Sequence, residues 1–405
     1  MCDEWKVIPS QLATKSASPI QEYLGKIKAI QSTQNAQNGT PNIDLSSAHL
    51  CNTSEEIKDC LVETLKEGQH NGYAPSVGYE ATRQAVLTYL NLPNLTPKDV
   101  VLSSGSASCL DIAITALADR GQSILIPKVH NPLYKVLAHG IGIETIEYSL
   151  TSNWDIDLID LGRKISSNTA ALLINSPHNP TGGIYCENHM RDILDLAHRH
   201  RLPVIVDESY RDCVFPGTEF ISAIDVNNGM TSKVPMLVCG GIGKSFMVPG
   251  WRVGWILIHD TINAFEDVRK AVVSLSQRII GCNTFIQGAI CNIVNINMEF
   301  RSHYMQDVQN NAKYLFETLN NQYGITITPG KSIYTFININ REFYRDIQST
   351  QEFCLKLYEE QGITILPGEV FGMEGFCRIA LDAKKEIFEI ATKRILLFCH
   401  EHYIL

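Results

Sequence analysis

The sequence predicts an α/β fold: a mainly parallel central sheet flanked by helices, with a smaller α+β domain. From about residue 100 onward, short runs rich in Val, Ile and Leu alternate with amphipathic segments that are typical of helices. Past about residue 295 this alternation stops, and β-like runs stand between longer helical patterns. The 405 residues also exceed the size at which one core usually keeps growing, so we expect two domains.

The larger domain is expected over residues 66–294. Its strands are predicted in the apolar runs DVVLSS (99–104), SILIP (123–127), AALLINSP (170–177), LPVIVDES (202–209), PMLVCGG (235–241) and GWILIHD (254–260). Amphipathic helical patterns cover residues 106–118, 132–139 and 187–200. In sheets of this kind ligands bind beyond the carboxyl ends of the strands, so the residues that come directly after these runs are the first candidates for a site.

The smaller domain is expected over residues 295–405. Helical patterns at 296–321 and 349–361 surround the β-like pieces ITITPG (325–330), SIYTFINI (332–339) and FCRIALD (376–382), and a final helix is predicted from 384 to 402. Residues 1–65 precede the first strand of the large sheet. We therefore expect this N-terminal segment to join the smaller domain.

Charge and composition exclude several classes of protein. The net charge is −9, and no Lys/Arg run offers a surface for nucleic acid. No apolar stretch approaches the roughly 20 residues of a membrane-spanning helix. The N-terminus, MCDEWKVIPSQ, lacks the basic and apolar regions of a secretory signal. The 12 cysteines are scattered, without metal-ligand spacing, so we predict reduced thiols, no metal site and a cytoplasmic protein.

Lys244 and Arg252 follow one of the predicted strands closely. Lys244 lies in GGIGKS, where glycines would let a cofactor approach a lysine that forms a Schiff base. An exposed loop lysine and a nucleotide-binding loop are the alternatives, but the latter needs a glycine where Val238 stands. Arg252, eight residues after Lys244, could bind a phosphate through both ends of its guanidinium or form an ion pair.

Two further strand ends carry polar residues. Asp207 ends the run PVIVD, where a carboxylate could keep a pyridine nitrogen protonated; a helix N-cap is the alternative. Tyr210, three residues later, could reach a phenolate oxygen on the same ring. Asn179, in INSPHNPTGG, could donate a hydrogen bond to that oxygen, or the string could simply be a turn.

Weaker candidates stand at three other places. Gly105, Ser106 and Ala107 follow the run VVLSS and begin a predicted helix, whose N-terminus suits an anion such as phosphate; a plain serine cap is the alternative. Tyr73 lies in the Gly/Pro loop NGYAPSVG and could be an ordinary surface tyrosine. Arg378 ends FCR and could bind a substrate carboxylate or form an ion pair at a strand end.

These residue types together match the needs of pyridoxal 5′-phosphate (PLP). This cofactor requires a lysine amine, an acid beside its pyridine nitrogen, a donor to its ring oxygen and a cup for its phosphate. Each requirement is met once, after a predicted strand. The order and spacing of these residues are far more specific than any one of them.

The chain resembles the class I/II aminotransferases among the fold-type I PLP enzymes, and most of all the tyrosine aminotransferase family. The resemblance runs from about residue 18 to 403 and is carried by NGYAPSVG, INSPHNPTGG, DESYRDCVF, CGGIGKSFMVPGWRVGWILIHD, LSQRIIG and FCHEHY. It implies a seven-stranded sheet and a homodimer with shared active sites. It also implies ping-pong transfer of the amino group of an aromatic or related amino acid to a 2-oxo acid such as 2-oxoglutarate.

The resemblance implies roles for individual residues. Lys244 would move the substrate α-proton as base and acid, with Asp207 and Tyr210 supporting the ring. Tyr73 would reach the phosphate of the partner subunit's cofactor. Arg378, together with Asn179, would bind the substrate α-carboxylate. In SQRIIG, Arg278 is a candidate for a distal carboxylate across the dimer interface.

The chain departs from the family pattern around the ring and the substrate. Where the family has a stretch like IPRPGFPLY, this chain reads IPKVHNPLY, which puts Asn131 at the stacking position, with His130 beside it. Losing the aromatic ring removes roughly 1 kcal/mol of stacking and permits a hydrogen bond instead. A glycine-containing loop is replaced by residues that include Ala48 and His49, and the usual phosphate-cup hydroxyl is replaced by Ala107.

These departures from the family pattern leave two other functions open. A PLP-dependent carbon–sulfur lyase, or another β-elimination enzyme, could use the same scaffold with His49 or Asn131 redirecting protonation. A non-catalytic protein that keeps the fold is the second alternative, and the presence of Lys244, Asp207 and Arg252 argues against it.

Overall fold

The computed structural model describes residues 8–33, 41–50 and 53–404; residues 1–7, on which the signal-peptide prediction depends, lie outside them. In chain order the helices are α1 (Gln11–Thr14), α2 (Pro19–Thr33), α3 (Glu55–Glu67), α4 (Glu80–Tyr89), α5 (Gly105–Leu117), α6 (Leu133–Gly140), α7 (Leu158–Lys164), α8 (Glu187–Arg199), α9 (Ala223–Asn228), α10 (Ile242–Ser245), α11 (Glu266–Ser276), α12 (Thr284–Ile293), α13 (Glu299–Leu319), α14 (Thr350–Gln361) and α15 (Lys385–His402).

The strands are β1 (Ile43–Asp44), β2 (Val100–Ser103), β3 (Ser123–Pro127), β4 (Glu144–Tyr148), β5 (Thr169–Asn175), β6 (Val204–Asp207), β7 (Met236–Gly241), β8 (Gly254–His259), β9 (Ile325–Ile327), β10 (Tyr334–Ile339), β11 (Ile363–Thr364), β12 (Leu366–Pro367) and β13 (Phe376–Ala380). Residues with known capping chemistry set several helix ends. Helix α14, for example, begins after Ser349, whose hydroxyl accepts from the Glu352 amide, and ends at Gly362 in the left-handed conformation.

The large sheet has seven strands in the order β2-β8-β7-β6-β5-β3-β4. All neighbouring pairs are parallel except those that β8 makes with β2 and β7. The predicted mainly parallel sheet is confirmed. Six of its strands lie in the apolar runs of the sequence, and the seventh, β4, is an edge strand in which only Tyr148 is fully buried. Its sequence, ETIEY, therefore has no continuous apolar run.

Helices cover both faces of this sheet, as the alternation of side chains along each strand requires. On β5, for example, Leu173 belongs to the core beneath α5, α6 and α11. Its neighbours Leu172 and Ile174 belong to the opposite core, with residues of α3, α4, α8, α9 and α12. No helix in the described ranges combines the length and the apolar character that crossing a membrane requires.

The C-terminal part of the chain forms a second, antiparallel sheet with the order β12-β13-β10-β9. The N-terminal segment contacts this part of the chain through β1, which pairs in parallel with β11 in a separate two-stranded sheet. Tyr23 and Leu45 also pack in the same core as Phe353 and Phe388. The domain boundaries at residues 66 and 295 stay predictions.

The carboxyl ends of β2, β5, β6 and β7 share one edge of the large sheet, and the amino end of β8 lies there too, because β8 runs in the opposite direction. Gly241, the last residue of β7, pairs with Gly254, the first residue of β8. The segment between them carries Lys244 and Arg252. Strand reversal thus brings both side chains to the edge at which Asp207 ends β6.

Candidate active site

A small pocket at this edge has the character of an anion cup. Helix α5 begins beside it, so that the helix N-terminus and its dipole favour a negative charge. Arg252 donates from Nη1 to the Pro249 carbonyl oxygen at 3.0 Å and from Nη2 to that of Ser104 at 3.3 Å. The pocket is lined by Gly105, Ser106, Ser209, Gly241, Gly243, Lys244, Pro249, Arg252 and Val253.

Gly105 is what allows Arg252 to approach the helix N-terminus. Its φ is +78°, which a residue with a side chain rarely adopts, and a Cβ placed there would stand 2.5 Å from Arg252 Nη2. The glycine therefore serves a phosphate cup in two ways: it allows the left-handed backbone, and it leaves room for the Arg252 guanidinium. Ser106 and Ala107 continue the first turn, and of these two only Ser106 brings a hydroxyl.

Asp207 is buried at the end of β6, and its carboxylate accepts three hydrogen bonds, one of them from the Ser209 hydroxyl at 2.5 Å. Tyr134 donates from its hydroxyl at 2.7 Å, and the Ser209 amide donates at 3.0 Å. Burial raises the pKa of Asp207, while these hydrogen bonds lower it in part. A buried carboxylate of this kind suits a cationic partner such as a protonated pyridine nitrogen.

Asn179 forms hydrogen bonds with Tyr210 and with Asn175. Its Nδ2 donates to the Tyr210 hydroxyl at 3.4 Å, and its backbone amide donates to Asn175 Oδ1 at 2.9 Å. Lys244 Nζ lies 5.6 Å from the centroid of the Tyr210 ring. The amide, the phenol and the amine that the sequence singled out therefore face a common space.

Arg378 completes this space from the smaller sheet. Its Nη1 donates to Asn179 Oδ1 at 2.9 Å, and its Nη2 donates to the Ser46 carbonyl oxygen. The side chain is only 3% exposed, yet its Nε has no hydrogen-bond partner among the described residues. Buried guanidinium donors are normally satisfied, so this arrangement suits a carboxylate ligand.

Comparison with known proteins agrees with this geometry. The profile of the family described as aminotransferase class I and II matches residues 40–395. The tyrosine aminotransferase of Mus musculus is 33% identical over 98% of this chain and 88% of its own length. The chain belongs to the class I and II aminotransferases. The crystal structure of tyrosine aminotransferase from Leishmania infantum superposes with a TM-score of 0.91 at 29% identity, covering 99% of this chain and 100% of that one.

The aminotransferase is PLP-dependent, which confirms the cofactor and the enzyme class predicted from the sequence. Lyases occur among its relatives at lower similarity. An S-alkyl-thiohydroximate lyase of Arabidopsis thaliana is 29% identical over 86% of this chain and 77% of its own length.

The side chains of this aminotransferase fit each part of the cofactor. The α5 N-terminus, Ser106 and Arg252 fit a phosphate, and the buried carboxylate of Asp207 fits the pyridine nitrogen. Tyr210 and Asn179 fit the ring oxygen, which needs hydrogen-bond donors. The orphaned Nε of Arg378 fits the carboxylate of an amino acid substrate.

Three of the aminotransferase's candidate residues lie outside this cluster in the single chain. Tyr73 is 90% exposed on its loop. Arg278 is exposed just after α11, close enough to Asp111 to oppose the rise in that carboxyl's pKa that burial causes. His49 is exposed and lies 3.4 Å from the Asp44 carbonyl oxygen through Nε2. The roles given to Tyr73 and Arg278 require a second subunit and stay predictions.

The residues at the predicted stacking position both have local partners. Asn131 accepts from the Leu133 amide through Oδ1 at 3.2 Å, at the start of α6. His130 is buried, and its Nδ1 lies 3.0 Å from the Lys128 carbonyl oxygen. Burial lowers the pKa of His130 to about 4, so the imidazole is neutral near pH 7.

Three residues of the aminotransferase site were missed by sequence reasoning. Ser209 and Tyr134 both bind Asp207, and Ser209 also lines the anion cup. A signal for each existed, since Ser209 lies just past a strand end and Tyr134 ends the family-like IPKVHNPLY. No sequence signal pointed to Tyr334, which contacts Arg378, because a tyrosine inside a β-like run is typical of an ordinary core residue.

Proposed function

We propose that this aminotransferase moves the amino group of tyrosine or a related aromatic amino acid to a 2-oxo acid such as 2-oxoglutarate, by a ping-pong mechanism. The substrate class rests on the tyrosine aminotransferases among its relatives. The observation that carries the proposal is that Lys244 and Asn179, at one end of the large sheet, meet Arg378 from the smaller sheet. There a buried guanidinium with an orphaned donor faces the same space as the amine.

PLP, when bound, supplies an electrophilic carbon and an electron-withdrawing ring. Lys244 would hold it through Nζ, and the Lys244 amine, once free, would move the proton of the substrate α-carbon. Asp207 would keep the pyridine nitrogen protonated, since a neutral nitrogen beside this buried carboxylate would leave the charge of the carboxylate uncompensated. Arg252 and the α5 N-terminus would hold the phosphate.

The substrate is oriented by groups that are already in place. Arg378 binds the α-carboxylate, and Asn179, which it contacts, holds Tyr210 beside the ring oxygen. Because these hydrogen bonds fix the carboxylate on one side, the α-hydrogen is directed toward Lys244. Prior orientation of this kind lowers the entropic part of the barrier.

The test begins with the purified protein, PLP, tyrosine and 2-oxoglutarate. We expect a visible absorbance band from bound PLP and formation of glutamate. In Lys244→Ala both should be lost, whereas Lys331→Ala, at an exposed lysine, should keep both. A wild-type protein that takes up no PLP, or a Lys244→Ala variant that turns over normally, would contradict the proposal.

A carbon–sulfur lyase is the second candidate, because a lyase is among the relatives and because His49 and Asn131 depart from the family pattern. It predicts pyruvate and a thiol from a cysteine conjugate, without glutamate. If that reaction greatly exceeds transamination in the same preparation, the lyase replaces the aminotransferase proposal.

We further propose that the enzyme is a cytoplasmic homodimer in which Tyr73 and Arg278 serve the partner subunit's site. Their exposure in the single chain supports this, since both side chains are accessible to a second subunit. The ten cysteines described are all free thiols, as suits a reducing compartment. Sedimentation of the holoenzyme tests the dimer, and a monomer at working concentration would overturn it.

A further inference from the structure

Tyr334 lies at a junction that the proposed mechanism does not use. It is the first residue of β10 and is buried beside Arg378. The Arg378 guanidinium carbon lies 4.1 Å from the centroid of the Tyr334 ring and 4.7 Å from that of Phe371. Two aromatic rings thus contact the group that binds the substrate carboxylate, and cation–π attraction favours this position.

The hydroxyl of Tyr334 contacts a different element. It accepts from the Ala48 amide at 3.5 Å, and Arg378 donates to the Ser46 carbonyl oxygen two residues earlier. The turn from Ser46 to Ala48 is therefore attached to Tyr334 at one end and to its stacked arginine at the other. Asp382 holds the next amide, that of His49, at 2.7 Å.

Tyr334 also meets the cofactor side of the site. Its ring lies edge-on to the Tyr210 ring, with centroids 5.8 Å apart. Burial alone would raise the pKa of Tyr334, but the positive charges of Lys244 and Arg378, together with hydrogen bonds from the Ala48 amide and the Tyr210 side chain, lower that pKa. One side chain thus contacts the carboxylate-binding arginine, the turn at the N-terminal segment and the tyrosine beside the cofactor ring.

We propose that Tyr334 is a positioning residue with two separable parts. Its ring holds the Arg378 guanidinium in the plane that receives the substrate carboxylate, and its hydroxyl fixes the turn Ser46–Ala48 over the site. The inference rests on the proposed function, because it assigns the carboxylate of the substrate to Arg378. It explains why a tyrosine, rather than a phenylalanine or a leucine, begins β10.

The two parts are tested with Tyr334→Phe, which keeps the ring, and Tyr334→Leu, which removes it. Tyr344→Phe is the matched control, since its buried hydroxyl donates to the Tyr323 carbonyl oxygen elsewhere in the smaller sheet's domain. Each holoenzyme is titrated with hydrocinnamate, an aromatic carboxylate without an amino group, through the visible band of bound PLP. Hydrogen exchange of the segment containing Ala48 and steady-state kinetics are measured in parallel.

We expect Tyr334→Leu to weaken hydrocinnamate binding and to raise the amino acid KM by about tenfold. Tyr334→Phe should leave that binding nearly unchanged, but speed exchange at the Ala48 amide and lower kcat by about fivefold. The control should match wild type in all three measurements.

Equal exchange in Tyr334→Phe and wild type would reject the role of the hydroxyl. Equal hydrocinnamate binding in Tyr334→Leu and wild type would reject the role of the ring. If Tyr334→Leu does not fold, Phe371→Leu tests the same contact from the other ring, and unchanged binding there rejects it. Failure of the proposed function is distinct, because wild type itself would then lack the visible band or amino transfer.

Discussion

At Gly105 the absence of a side chain decides how closely an arginine approaches a helix N-terminus. We expect Gly105→Ala to weaken PLP binding by about tenfold or more, because left-handed backbone costs alanine about 1–2 kcal/mol and the new Cβ displaces Arg252. The measurement is the PLP dissociation constant by equilibrium titration. Gly121→Ala is the control, since Gly121 has φ +82° with nothing within 4 Å of a Cβ. Equal PLP affinity in Gly105→Ala and wild type would contradict this account of the cup.

The buried imidazole of His130 should make the stability of the protein depend on pH. The folded protein holds its pKa at about 4, against 6.5 for the unfolded chain, so acidification between these values protonates only the unfolded state. The free energy of unfolding should therefore fall as the pH falls from 6.5 to 4, by up to about 3 kcal/mol from this group. Below that range its contribution levels off.

The measurement for His130 is denaturant unfolding across this pH range. His130→Asn should unfold with a shallower pH dependence than wild type. His200→Asn, at an exposed helix end, should keep the wild-type slope. An unchanged slope in His130→Asn would show that other groups cause the acid sensitivity.

Among single residues, the sequence predicts the site side chains that stand at or just past a strand end, and few others. Lys244 and Asp207 could be found because the topology of a parallel sheet sends such residues to one edge. Tyr334 could not, since its partner Arg378 is 44 positions away in the chain and on another strand. The turn before α3 shows the same limit, because only the folded chain decides that Ala48 is buried and His49 exposed.

At the scale of elements, the start of helix α13 is tied to the turn that carries the lysine. Arg301 donates to the Ser245 carbonyl oxygen and to the Tyr89 hydroxyl, each at 3.2 Å, and forms an ion pair with Asp212 at 3.6 Å. Ser245 closes the network by donating to Asp212 at 2.6 Å. These contacts hold Ser245, the residue next to Lys244, against helix α13.

We expect Arg301→Met to lower the free energy of unfolding by about 2 kcal/mol, because it leaves the part-buried Asp212 without its cation. Activity should fall with it, since the backbone beside Lys244 loses a donor. Denaturant unfolding and steady-state kinetics measure both effects. The double variant Arg301→Met/Asp212→Asn should recover part of the lost stability; a strictly additive loss would show that the two side chains do not interact.

Strands could be predicted from the sequence where they are buried and therefore consist almost entirely of apolar residues. The strands β5, β6 and β7 lie between two cores and appear as continuous runs of Val, Ile and Leu. The edge strand β4 packs on one side only, and its glutamates interrupt the apolar pattern. The apolar pattern therefore identifies the strands that are buried throughout, including the other edge strand β2, and misses the more exposed β4.

At the scale of the whole molecule, shared sites can be tested by mixing inactive subunits. Lys244→Ala lacks the reacting amine, and Tyr73→Ala lacks the side chain proposed to reach across the interface. Random exchange of equal amounts should make hybrid dimers that contain one intact site each, giving about one quarter of wild-type activity. Mixtures that stay as inactive as their parents, although subunit exchange is demonstrated with tagged chains, would contradict a shared site.

The single reversed strand has a consequence for how this enzyme can be altered. Because β8 returns against β7, the covalent anchor and the phosphate anchor of the cofactor, Lys244 and Arg252, belong to one short connection. Both ends of that connection are clamped by the Gly241–Gly254 pairing, so its length fixes the span between the two anchors. Transplanting it as one cassette between related scaffolds should preserve that span. An insertion or deletion of even one residue between Lys244 and Arg252 would change this span. The two anchors would then no longer match a ligand of fixed size.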